Sequence, residues 1–290
     1  MCIAALSAVT AGGIALMVAA VRMDQHAVAA FAEDALLFGI EGVSVSEAEA
    51  TATPAETLDD RSFRMEVIRA TPAPALEAKR VLIYHSHTWE AFQQVEGATY
   101  EETEKWRTKD NHYNMVAVGE ALANQLRALG CTVVHDTTAF EPPNLDQAYN
   151  RSLAMLEERT ALGERYDLYI DLHRDAIASS STLKRTVQIG GTDVARFMVL
   201  VGKGTGAGFD VKPDWEANLQ IAQALTERLN TMADGLCRDV KVKSGRFNQH
   251  IAPRCILIEC GNNLNTLDQV LNGIPYLAEA LVQTMQNLAP

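Results

Sequence analysis

A chain of 290 residues that is 48% hydrophobic and 21% charged is long enough to bury a full core without disulfide support. Its 37 acidic and 25 basic residues give a formal charge of −12. With no basic stripe to release counterions from phosphates, nucleic acid is excluded as a partner. Ten acidic residues lie between positions 23 and 75 against Arg61, Arg64 and Arg69, so more than half of the net charge falls outside the part of the chain that reads as a folded domain.

The first segment, Cys2 to Val21, carries no charge and is followed by Arg22. Roughly 20 apolar residues suffice to cross a bilayer, so residues 1–22 are expected to form a transmembrane anchor, in preference to a cleaved signal segment. Residues 23–76 read as an acidic flexible spacer. Gly42 to Thr57 is rich in Ser, Ala, Thr and Glu, as a solvated linker should be, and Thr71-Pro72-Ala73-Pro74 is the last breaker before the domain at 77–290.

From there strands and helices alternate: a strand at 80–85, a helix at 114–129, a strand at 132–135, a helix at 144–159, and a strand at 168–173. That order predicts an α/β domain with a mainly parallel central sheet flanked by helices. In the first helix Met115, Val118, Leu122, Leu126 and Leu129 recur at three- and four-residue steps and form one apolar stripe closed by Gly130. Further strands are expected at 186–189, 197–201 and 240–243, and a helix runs through Leu219, Ala222, Leu225, Leu229 and Met232 to Gly235. Asn272-Gly273 breaks the C-terminal helical region and Pro275 is placed to begin its second half. The five cysteines lack zinc-type Cys-x-x-Cys pairs. Cys255 and Cys260, five apart on one strand, are expected on opposite faces as small core residues.

Three strand ends carry chemistry. Val81-Leu82-Ile83-Tyr84 runs into His85-Ser86-His87-Thr88-Trp89-Glu90, Leu168 to Leu172 delivers His173, and Cys255-Ile256-Leu257-Ile258 ends in Glu259. Open α/β sheets bind ligands outside the carboxyl ends of their strands. Hydrolytic zinc needs three protein ligands with one open position, and an unligated carboxylate to carry protons. If the first strand continues through its histidines, His85 and His87 share one face.

His85-Ser86-His87-Thr88-Trp89-Glu90, Asp171-Leu172-His173-Arg174-Asp175-Ala176, Asn248-Gln249 and Leu257-Ile258-Glu259-Cys260-Gly261-Asn262 resemble segments of the stage II sporulation protein P family over roughly 78–289. That family is distantly similar to zinc-dependent N-acetylmuramoyl-L-alanine amidases. The resemblance implies a zinc peptidoglycan hydrolase, an amidase with a second endopeptidase activity. It would be anchored in the cell membrane with its domain outside the cytoplasm, and would act on septal wall during engulfment, with stage II sporulation proteins D and M as partners. A membrane-tethered peptidoglycan-binding scaffold without turnover is the alternative.

The same resemblance implies residue roles. His87 and His173 would bind Zn²⁺, with His85 beside them. The third ligand is Glu90, where the sporulation family has a glutamate, or Asp110, which lies just before the first helix as the amidase ligand does. Glu259 would shuttle protons. Arg174, Asn248 and Gln249 are candidates for substrate contact, and Asn218 matches the family without an assigned role.

Overall fold

In the computed structural model the described residues are 2–6, 19–23, 78–206 and 208–287. The chain divides into two units, residues 1–75 and 76–290. In the first, strand β1 (Cys2–Leu6) pairs antiparallel with β2 (Ala19–Met23). Both ends of the segment expected to form a membrane helix are therefore extended. Residues 7–18 and 24–77, and with them all of the expected spacer except Met23, lie outside the described residues. No helix among the described residues is long and apolar enough to cross a membrane.

The second unit is built on a six-stranded sheet. Its first strands are β3 (Arg80–Tyr84), β4 (Thr132–His135) and β5 (Leu168–Asp175). After the hairpin of β6 (Thr186–Ile189) and β7 (Thr192–Ala195) come β8 (Phe197–Gly202), β9 (Lys241–Lys243) and β10 (Cys255–Asn262). The sheet order is β4-β3-β5-β10-β8-β9. The first four strands are mutually parallel, while β8 runs antiparallel to β10 and carries β9 parallel to itself. Sequence periodicity missed β7, whose Thr-Asp-Val-Ala has too short an apolar pattern to register.

Helices cover both faces because β5, β8 and β10 are buried along nearly their whole length, as strands with two covered faces must be. On one face lie α1 (Met115–Ala128), α3 (Trp215–Met232), α4 (Leu267–Leu271) and α5 (Ile274–Gln286). On the other lies α2 (Ala148–Ala161), preceded by a 3₁₀ turn at Leu145–Gln147. Asn114 caps α1 by accepting from Val116 N, and Thr266 forms a capping box with Gln269 on α4. The expected stripe of α1 buries Met115, Val118, Leu122 and Leu126, but Leu129 is exposed because the helix has already ended at Ala128.

Two clusters divide along strand alternation. Val81, Ile83, Ile170, Ile258 and Cys260 join the core beneath α1, α3 and α5, while Leu82, Tyr84, Tyr169 and Cys255 pack with Leu156 of α2. Cys255 and Cys260 thus face opposite sides, and both are free, as are Cys131 and Cys237.

Candidate active site

Where β3, β5 and β10 end together, the α2 face of the sheet carries a row of polar side chains. His173 lies directly opposite Glu259 in the β5–β10 ladder, so the two share a face. Asp171 is two residues before His173 and shares it too. Its Oδ1 accepts from His173 Nε2 at 2.8 Å, while Ser86 donates to Asp171 through its backbone N and Oγ, each at 2.8 Å. Ser86 Oγ also lies 2.9 Å from His173 Nε2. A serine-nucleophile triad needs serine and carboxylate on opposite imidazole nitrogens. Here both sit on Nε2, so Asp171 and Ser86 orient the ring and leave Nδ1 for other work.

That Nδ1 faces Glu90, whose Oε2 is 3.4 Å away. Burial opposes charge on His173, but the Asp171 carboxylate, with Tyr149 and Glu90, outweighs it and holds the imidazole pKa well above its ordinary value. Burial likewise opposes the charge on Glu90, and Arg174 with His173 pulls its carboxyl down to about 2. Glu90 sits in a loop pinned by paired backbone bridges, Glu90 to Arg107 and Ala91 to Asn114. Glu141 accepts from Trp89 N at 2.8 Å and pairs with Arg107 at 2.7 Å.

The chain leaves strand geometry after Tyr84 and turns through 86–89. His85 and His87 therefore do not share a face as an extended strand would require. His85 points beneath α1, with Nδ1 donating to Leu172 O at 2.8 Å and Nε2 2.8 Å from His135 Nε2. Burial, with His135 beside it, lowers its pKa to about 3. His87 instead packs its ring 5.2 Å from that of His173 and 5.3 Å from that of Tyr149. Its Nδ1 is buried without a hydrogen-bond partner, and burial with His173 nearby lowers its pKa to about 4.

Glu259 is 9% exposed and its Oε2 has no hydrogen-bond partner. Burial is the main cause that raises its pKa to about 7, where a carboxyl can both accept and return a proton near neutrality. Asp110 is exposed and pairs with His112 at 2.9 Å. Of the two carboxylates considered for a third ligand, the structure brings Glu90 to His173.

Arg174, Asn248 and Gln249 each hydrogen-bond to neighbouring segments of the chain. Arg174 donates to Ala91 O at 2.8 Å and Trp106 O at 3.0 Å, clamping the Glu90 loop. Asn248 donates to Tyr149 O at 2.8 Å and Ser152 Oγ at 3.0 Å, fixing the start of α2. Gln249 accepts from Gly202 N at 2.8 Å and donates to Leu200 O at 2.9 Å, so its amide takes the place of a ladder partner for β8. Asn218 accepts from Cys255 N at 3.1 Å. Asp171, Ser86 and Tyr149 were not singled out from sequence. The alternation Asp171-x-His173 was the available signal, whereas nothing local marks Tyr149.

Among the described residues no three His, Cys, Asp or Glu side chains stand together at coordinating positions. One pair, His173 Nδ1 and Glu90 Oε2, has the donor chemistry and separation that zinc requires. Two ligands on one tetrahedral ion are roughly 3.3 Å apart, close to the separation of His173 Nδ1 and Glu90 Oε2. His87 offers an unpartnered buried nitrogen, and the far nitrogen of His173 already has the carboxylate partner that metal-binding imidazoles need.

No curated protein sequence matches the chain. Among solved structures it is similar to the CwlD amidase of Clostridioides difficile in complex with the GerS lipoprotein. Identity there is 16%, with 72% of this chain and 96% of that chain covered and a TM-score of 0.48. It is also similar to an N-acetylmuramoyl-L-alanine amidase from Clostridium difficile 630, at 18% identity, 72% and 95% coverage and a TM-score of 0.43. The catalytic domain of the CD27L endolysin targeting Clostridia Difficile matches at 16% identity, 73% and 99% coverage and a TM-score of 0.45. The sequence pattern of stage II sporulation protein P matches residues 41–282. That span takes in most of the chain, including every side chain of the site just described, and the chain belongs to the stage II sporulation protein P family.

Proposed function

We propose that this protein is a zinc-dependent peptidoglycan hydrolase of sporulation, cleaving the amide between N-acetylmuramic acid and L-alanine. The observation that carries the reading is His173 set between Glu90 and Asp171, with His87 against its ring and Glu259 across the ladder. His87, Glu90 and His173 would hold the metal. When bound, zinc supplies a Lewis acid for the scissile carbonyl and lowers the pKa of water toward about 7.

The remaining steps belong to the chain. Glu259, with a pKa of about 7 and a free Oε2, takes the proton from the attacking water and gives it to the departing nitrogen. Asp171 and Ser86 fix the His173 ring, so its Nδ1 lone pair points one way. Tyr149, stacked 6.5 Å from His173, closes the site from α2 and helps exclude water. Attachment to a membrane outside the cytoplasm and association with stage II sporulation proteins D and M complete the reading.

Purified peptidoglycan incubated with the full chain and zinc should release stem peptides freed from muramic acid, and Glu259→Ala should abolish the release. Binding to peptidoglycan with no soluble product from the wild type would overturn the hydrolase in favour of a scaffold.

A further inference from the structure

The row that contains His173 and Glu259 does not stop at β10. In the β10–β8 ladder Glu259 lies opposite Met198. Beyond β8, Phe197 bridges Cys237 in parallel register, with Phe197 N donating to Leu236 O and Arg238 N to Phe197 O, both at 2.8 Å. Cys260, Phe197 and Cys237 all enter the core beneath the helices, so their neighbours Glu259, Met198 and Arg238 face the opposite side, which is the side of His173. Arg238 is two lateral steps from Glu259, roughly 10 Å at the usual strand spacing.

At that place the surface opens into a cavity of about 550 Å³, lined around Met198 by the cations Arg196, Arg238 and Lys241 and by two carboxylates, Asp234 and Asp239, so cations outnumber carboxylates by one. Arg238 reaches back across β10, and its Nη2 lies 2.6 Å from Asp175 Oδ2, just past His173 on β5. That pair fixes the guanidinium plane on one side. Its Nε and Nη1 make no hydrogen bond among the described residues, and Lys241 on the rim has no ion pair there. A guanidinium anchored by one nitrogen with donors to spare is suited to a carboxylate. The lining holds no aromatic ring on which a sugar face could stack. Aromatic rings lie at the other end of the row, where Tyr149 meets His87 at 5.3 Å and Phe247 at 5.9 Å.

We propose that this cavity is the subsite for the peptide arm of the substrate, with Arg238 binding a free carboxylate of that arm. The inference rests on the hydrolase reading and adds a direction to it: the glycan lies toward Tyr149 and the peptide runs across Met198 to Arg238.

The test uses the full chain with two readouts. Calorimetry on metal-free protein, with a tripeptide stem that begins with L-alanine and bears free carboxylates, should show binding weakened about tenfold in Arg238→Ala, partly restored in Arg238→Lys, and equally weakened when the peptide carboxylates are amidated. In zinc-loaded protein, Arg238→Ala should raise KM about tenfold on a muropeptide with a full stem, with kcat within twofold, and leave a substrate cut back to muramoyl-L-alanine unchanged. Equal peptide affinity in wild type and Arg238→Ala, or a kcat loss shared by both substrates, overturns the subsite. A wild type that binds the tripeptide through Arg238 but hydrolyses neither substrate overturns the hydrolase reading and leaves the subsite standing.

Discussion

Asp171 accepts a hydrogen bond from His173 Nε2 at 2.8 Å from two residues earlier on the same strand, and Ser86 fixes that carboxylate by donating to both its oxygens. The period of a strand makes this contact nearly obligatory once both side chains face the same way. Asp171→Asn keeps the shape but removes the charge that stabilises imidazolium. The His173 pKa should fall, followed by NMR of the ring protons, and zinc affinity should drop by about 10- to 100-fold. Unchanged metal affinity would remove Asp171 from the site.

Zinc must displace a proton from His173. Because Asp171 and Glu90 hold that imidazole charged in the metal-free protein, zinc binding should release a proton and tighten as pH rises from 5 toward 8. Calorimetry in buffers of different ionisation enthalpy reads the proton directly, and no buffer dependence at pH 6 would contradict the assignment.

Glu90→Ala should lower zinc affinity by more than about 100-fold, beyond the loss typical of outer partners, whereas Asp110→Ala should leave it within twofold. Metal content after dialysis distinguishes the two. The expectation follows from Glu90 Oε2 at 3.4 Å from His173 and from Asp110 being engaged at the surface with His112.

Glu259 has a folded-state pKa of about 7, above the 4.5 of a free glutamate, because burial disfavours its charge. Below pH 4.5 it is protonated in folded and unfolded chains alike and contributes no difference. As pH rises from 4.5 to 7 the unfolded chain ionises first, and the folded state loses stability, by up to about 3 kcal/mol. Glu259→Gln should therefore raise the Tm of the metal-free protein by several degrees at pH 8, and the gain should vanish near pH 4.5. The same variant should be inactive, a trade of stability for activity.

Gly119 lies in the middle of α1, where alanine would ordinarily add about 1 kcal/mol. A Cβ there would collide with His135 Nε2 and stand 2.6 Å from His85 Nε2. Gly119→Ala should destabilise by about 1–3 kcal/mol or more, measured by urea unfolding. A stabilised variant would show that the His85–His135 pair moves freely.

The amino-acid sequence by itself determined the alternation of strands and helices, the parallel centre of the sheet, the split of Cys255 and Cys260 to opposite faces, and the delivery of His173 and Glu259 to strand ends. Each of these depends on local periodicity, and both side chains ride on regular strands whose register is set by burial. Only the tertiary structure decided the rest. The turn after Tyr84 separates His85 from His87, because a chain leaving a strand no longer alternates. Glu90 reaches His173 through a loop clamped by Arg174 and Arg107, a long-range arrangement that spacing does not encode. The contacts of Arg174, Asn248 and Gln249, to Ala91, Tyr149, Ser152 and Leu200, are with segments that only the fold brings to them. Tyr149 enters the site from a separate helix, where only packing puts it beside the histidines.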